Sequence, residues 1–129
     1  MHILQPPGWA RPRGYSNGIA ARGQIVFISG QIGWDEQCHF QTDDFVLQAR
    51  QALLNVVAVL AEAGGKPEHI ARLTWYVVSK ADYLAHSKAL GQVYREIMGS
   101  HYPAMTAVAV AALMEDRAQI EIEATAVIP

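Results

Sequence analysis

A single cysteine, Cys38, leaves the 129-residue chain without an internal disulfide framework and suits a reducing compartment. Charge is sparse, at 17% Asp, Glu, Lys and Arg, and the formal net charge is -2 with no basic run. The electrostatic footprint of a dedicated nucleic-acid binder is therefore missing. Five histidines, His2, His39, His69, His86 and His101, form no HxxxH or HxH pair, and no CxxC occurs, so metal-site spacing is absent. GxSxG, GxGxxG and phosphate-loop motifs are also lacking, which removes the motif-borne hydrolase, dinucleotide and nucleotide readings. No stretch approaches the ~18 apolar residues of a membrane span. Met1 to Gly14 lacks the apolar centre of a signal peptide. These absences lead to the expectation of a soluble cytoplasmic protein with no cofactor, no metal, no membrane partner and no nucleic acid.

What is present is apolar. Hydrophobic residues make up 51% of the chain, enough for an ordered core, and the length is that of one domain, residues 1–129. Pro6, Pro7, Gly8, Pro12 and Gly14 mark residues 1–14 as an arm without periodic structure. Asn17-Gly18 signals a turn, with a strand able to begin at Ile19, and Ile25 to Ile28 is a short apolar run between Gly23 and Gly30 that reads as a strand. Phe45, Val46, Ala49, Ala52, Leu53, Val56, Val57 and Leu60 then recur at helical spacing, from Asp43-Asp44 to Gly64-Gly65 and Pro67. Leu73 to Val78 reads as a central strand. Ser79 and Asp82 have capping-box spacing ahead of a second helix, with Tyr83, Leu84, Leu90, Val93, Tyr94, Ile97 and Met98 inward and Gly99 at its end.

Two late strands complete the pattern. Pro103 opens Met105 to Val110, whose small and β-branched residues on both faces suit two-sided burial. In the last strand Ile120, Ile122, Ala124, Ala126 and Ile128 alternate with Glu121, Glu123, Thr125 and Val127, so Glu121 points away from the oily side. Placed side by side, these strands would bring Met105 near Glu121. The order β-β-α-β-α-β-β makes an α+β fold with a mixed sheet and two helices on one face. Strands apolar on both faces need a second cover, and copies of the same chain supply it most economically.

Taken residue by residue, the chemistry stays open. Glu121 and Glu123 read first as a solvated strand face, and become functional candidates if that face is packed in an oligomer. Tyr15 and Trp34, beside glycines, serve as core, interface or pocket wall. Ser29 caps a turn or contacts a ligand, and Gly30 and Gly33 permit close approach of a neighbour. Cys38, next to His39 in a polar loop, has no base placed against it by sequence alone.

Taken together, Gly14-Tyr15-Ser16, Val26 to Ile32, Gln48 to Val56, Tyr102-Pro103-Ala104 and Ile120 to Ala124 resemble the Rid family of reactive intermediate deaminases, the YjgF-type or L-PSP endoribonuclease proteins. The resemblance runs over nearly the whole chain. It implies a chorismate-mutase-like fold and a homotrimer whose sheets face a central barrel, with small-molecule clefts between subunits. It further implies hydrolysis of enamines and imines to carbonyl products and ammonia. By position, Glu121 would orient or activate water, Tyr15 would line the cleft, and Ser29 with the Gly30 backbone would contact substrate. Trp34, close to this motif, is a candidate wall. Where the best-understood branch has a carboxylate-holding arginine, this chain has Met105. Its cysteine two places later is replaced by Ala107, and the asparagine expected between His86 and Gln92 is not evident. Standard 2-imino acids are thus not the expected substrates, unless Arg13 or Arg117 of a neighbouring subunit replaces the anchor. A non-catalytic metabolite-binding trimer is the alternative. An endoribonuclease or translation inhibitor comes third, disfavoured by the net charge.

Overall fold

The computed structural model describes all residues, Met1–Pro129. Its strands are β1 (His2–Leu4), β2 (Gly18–Ala20), β3 (Gln24–Ile32), β4 (Ile70–Val77), β5 (Ala104–Ala109) and β6 (Ile120–Ile128). Its helices are α1 (Phe45–Glu62), α2 (Lys80–Ala85) and α3 (Ser87–Met98), and a 3-10 turn, Pro67–His69, precedes β4. The α+β class matches the sequence reading, while the element order carries one more strand and one more helix than expected.

The extra strand lies in the arm. β1 pairs antiparallel with β2, His2 opposite Ala20 and Leu4 opposite Gly18, so residues 1–14 are not without regular structure. A strand of three residues is too short to display alternation, and the prolines beyond it dominate the local pattern. The extra helix arises because His86, at φ -106 and ψ 17, interrupts what reads as one helix. Ser79 caps α2 by accepting a hydrogen bond from the Asp82 amide at 3.1 Å, as its spacing predicts. Leu84, expected inward, is exposed, because the six-residue α2 buries none of its residues.

α1 begins where predicted, with the Asp44 carboxylate accepting from the Leu47 amide at 2.9 Å, and is followed by Gly64 at φ +77. By length and mean hydropathy α1 also passes for a membrane span, as a helix with a buried core face does, though Gln48, Arg50, Gln51, Asn55 and Glu62 interrupt its apolar residues. Its buried stripe, Phe45, Gln48, Ala49, Ala52, Leu53, Val56 and Leu60, packs on β3, β6 and α3. Gln48 is the polar member of that stripe. It donates to the carbonyls of Thr42 and Arg117 at 3.1 and 3.0 Å and accepts from the Gln119 amide at 2.9 Å, joining the start of α1 to the approach to β6.

The main sheet runs β3-β6-β4-β5, antiparallel except for the parallel pair β4 and β5. Met105 to Val110 is thus an edge strand, separated from β6 by β4 rather than beside it. Thr106 to Ala109 are exposed in the single chain, since α1 covers β3 and β6 and α3 packs on α1, while Ala104 and Met105 at the start of β5 are half-buried. The core gathers Leu53, Val56, Leu60, Leu73, Ile120 and Ile122 with Leu90, Tyr94 and Met98 of α3.

Candidate functional site

Pleating of β6 sends Ile120, Ile122, Ala124 and Ala126 into the core and Glu121, Glu123 and Thr125 to the opposite, helix-free face. On β3, the register slips between Ile28, opposite Ala124, and Gln31, opposite Ile122, which makes Ser29-Gly30 a bulge. The Glu121 carboxylate lies against that bulge. A Cβ at Gly30 would fall 2.1 Å from Glu121 Oε2 and 2.7 Å from its Cδ, so the missing side chain makes room for the acid. Ser29, exposed, accepts from Gln31 Nε2 through its carbonyl and its Oγ at 3.2 and 3.3 Å. It borders a shallow hollow of about 560 Å³ with Arg72, Thr74, Tyr76 and Glu123. Tyr76 Oη donates to Glu123 Oε1 at 2.5 Å, and this bond is the main reason its phenol titrates above the ordinary tyrosine value.

Met105 lies on the other side of the sheet. It is level with Leu73 on β4, which is level with Ala124 on β6, whereas Glu121 is level with Tyr76. Met105 and Glu121 are therefore three residues apart along β4 and on opposite faces, contrary to the neighbourhood predicted from the sequence. The reason is the intervening β4, whose pairing with both late strands is long-range and leaves no local trace.

A hollow of about 310 Å³ opens beside Met105, walled by Tyr15, Trp75, Tyr94, Arg13 and Arg95 among others. Tyr15 is placed there by its neighbour. Ser16 donates from its amide to the Pro103 carbonyl at 3.0 Å and from Oγ to the Tyr102 carbonyl at 2.5 Å, tying the arm to the start of β5. Tyr94 and Tyr102 stack at 5.3 Å and 15°, and Tyr94 Oη donates to the His101 carbonyl at 2.6 Å. Burial, and secondarily Tyr102, pushes the Tyr94 phenol far up, while burial also raises Tyr83. Both phenols stay neutral at ordinary pH. The Trp75 indole nitrogen is buried without a hydrogen-bond partner.

Of the residues singled out in the sequence, the structure groups Ser29, Gly30 and Glu121 on the helix-free face, and Tyr15 with Met105 on the other. Trp34 joins neither hollow. Its ring meets Phe40 at 5.7 Å, and its carbonyl accepts from Asn55 Nδ2 at 2.8 Å. Arg117, one candidate anchor, is held by Asp43 at 3.0 Å and lies over the Phe40 ring at 5.3 Å. Trp75 and Arg95 were missed. Gly91 and Arg95 stand one turn apart on α3, a spacing readable in the sequence, but no local signal aims Trp75 at a hollow.

Comparison with known proteins adds four findings. Residues 9–128 match the family model described as Endoribonuclease L-PSP. A RutC family protein from Synechocystis is 35% identical over 132 residues, covering 100% of this chain and 98% of that one. The 2-iminobutanoate/2-iminopropanoate deaminase of Salmonella typhimurium is 36% identical over 105 residues, 81% of this chain and 80% of the other. Among solved structures, the Rid family protein YyfB from Yersinia pestis, itself of unknown function, superposes with a TM-score of 0.85 at 30% identity, covering 98% of both chains.

Proposed function

Because the chain belongs to the Rid family, the YjgF-type proteins also described as endoribonuclease L-PSP, we propose that it is a hydrolytic deaminase of a reactive enamine or imine. The deaminase name of the Salmonella relative supports this reading. The observation that carries it is the split site: Glu121 with Ser29 and Gly30 on one face of the sheet, Tyr15 with Met105 across it. A homotrimer with the helix-free faces turned inward sets the bulge of one protomer against the β5 edge of the next and completes a small-molecule cleft from both groups. Phe27, 79% exposed on the helix-free face, supports such a cover. The compartment proposed is the cytoplasm, where the exposed thiol of Cys38 stays reduced.

In this cleft Glu121 takes a proton from water as its oxygen adds to the carbon of the C=N bond. Glu121 passes that proton to the nitrogen, giving a carbinolamine, which collapses when the carboxylate takes the hydroxyl proton and delivers it to the nitrogen. The C–N bond breaks, ammonia leaves, and the carbon keeps its oxygen as a carbonyl. Glu121 thereby returns to the carboxylate form. Met105 brings no donor to the cleft, which favours substrates other than the standard 2-imino acids. It also favours the second reading, a trimer that binds a metabolite without turnover.

Two measurements test the proposal. Sedimentation equilibrium should give a mass near three times 14.1 kDa, and a well-folded monomer at micromolar concentration would refute the shared cleft. Ammonia release from a panel of enamines and imines generated by pyridoxal-phosphate enzymes should exceed the rate in water alone. Equality across the panel would leave the binding reading.

A further inference from the structure

We propose that Trp75 and Arg95 are the recognition pair of the hollow beside Met105, selecting a flat, conjugated carboxylate. Arg95 pairs with the carboxylate, and the Trp75 Nε1–H donates to an acceptor on the ligand. The assignment rests on reading this hollow as the substrate half of the deaminase site.

Trp75 is 4% exposed, and its indole nitrogen is the chain's sole buried side-chain polar atom without a partner. A buried donor left unpaired is costly, and because Trp75 lines the hollow, an acceptor reaching its indole edge from there would relieve that cost. Charge points the same way. Two arginines, Arg13 and Arg95, wall the hollow and no Asp or Glu does. The one ion pair in the protein joins Arg117 to Asp43, so neither wall arginine is neutralised. Tyr94, stacked on Tyr102 with its hydroxyl donated to the His101 carbonyl, offers no competing anion.

Arg95 is preferred to Arg13 because it stands on α3 and its guanidinium lies close over Gly91. A Cβ at Gly91 would be 3.3 Å from Nη1, which places the guanidinium over the glycine at the wall of the hollow. The walls set the shape. Tyr15, Trp75, Tyr94 and Met105 line the hollow with three aromatic rings and a polarizable thioether, a composition that suits a planar conjugated ligand better than a short aliphatic one.

The test follows the Trp75 indole N–H resonance in nitrogen-15-labelled protein, assigned through its loss in Trp75→Phe. Benzoate is the probe and benzamide the uncharged control. Benzoate should move the resonance saturably while benzamide leaves it in place. Arg95→Met, at an exposed helical position that methionine tolerates, should weaken benzoate by about tenfold or more. A resonance unmoved by benzoate, moved equally by benzamide, or equally sensitive in Arg95→Met overturns the assignment. Because this readout is binding, benzoate recognition without ammonia release would fail the deaminase reading alone. Turnover with a silent Trp75 would fail the recognition pair alone.

Discussion

Under the helices, Leu73, Ile120 and Ile122 have no exposed surface, whereas across the same sheet Phe27 keeps 79% of its surface in water and Ile25 58%. Alternate residues of the same strands make both faces, so β-propensity cannot account for the contrast. The covered face is closed by α1 and α3 from within the chain. The other carries Glu121, Glu123, Tyr76 and Thr125 among its apolar residues and has no cover from its own chain. One face specifies the fold, and the other is free to carry the chemistry and contacts that the fold presents.

The largest effect that tests this contrast is on stability. Leu53→Ala should lower the unfolding free energy by about 2–5 kcal/mol, read from chemical denaturation, because the site cannot collapse around the lost side chain. Phe27→Asp should leave the far-ultraviolet spectrum unchanged and drop the sedimenting mass toward 14.1 kDa. If Phe27→Asp unfolds the chain as badly as Leu53→Ala, the two faces are not different in kind. Next in size is Glu121→Ala, which should cut ammonia release at least about a hundredfold while the assembly persists. Retained activity returns Glu121 to a solvated strand face. The smallest effect is a gain: Met105→Arg should raise kcat/KM for 2-iminopropanoate by about tenfold, given an unchanged sedimenting mass. Unmodified protein that already matches an arginine-bearing relative on that substrate would break the link between Met105 and specificity.

The covered face was also the legible one. The heptad-like stripe of α1 and the alternation of β6 each lie within a single element, so a local window displays them, and the Ser79 cap is likewise local. The role of Gln48 left no local trace because it satisfies backbone groups of Thr42, Arg117 and Gln119, two of which are remote in sequence. The arrangement of the site was less accessible. Met105 and Glu121 were expected together because the two late strands are consecutive, but β4 pairs with both and separates them. Whether Trp75 finds a partner depends on atoms from α3 and the arm, which no window on β4 contains. Gly30 was the exception, its need for close approach being readable beside a strand end before the Glu121 carboxylate was seen there.

The pairing of β3 with β6 joins Gln24 to Ile128, across almost the full sequence. On the ribosome, β3 emerges early and has no partner until the last strand is made, and β4 lacks its own neighbour on that side for the same period. The nascent chain can form α1, the β1–β2 ribbon and the β4–β5 pair but not the joined sheet, so folding waits for β6 to emerge. An apolar strand waiting unpaired is a target for chaperones. Truncation within β6 should therefore give an aggregating product rather than a smaller folded protein.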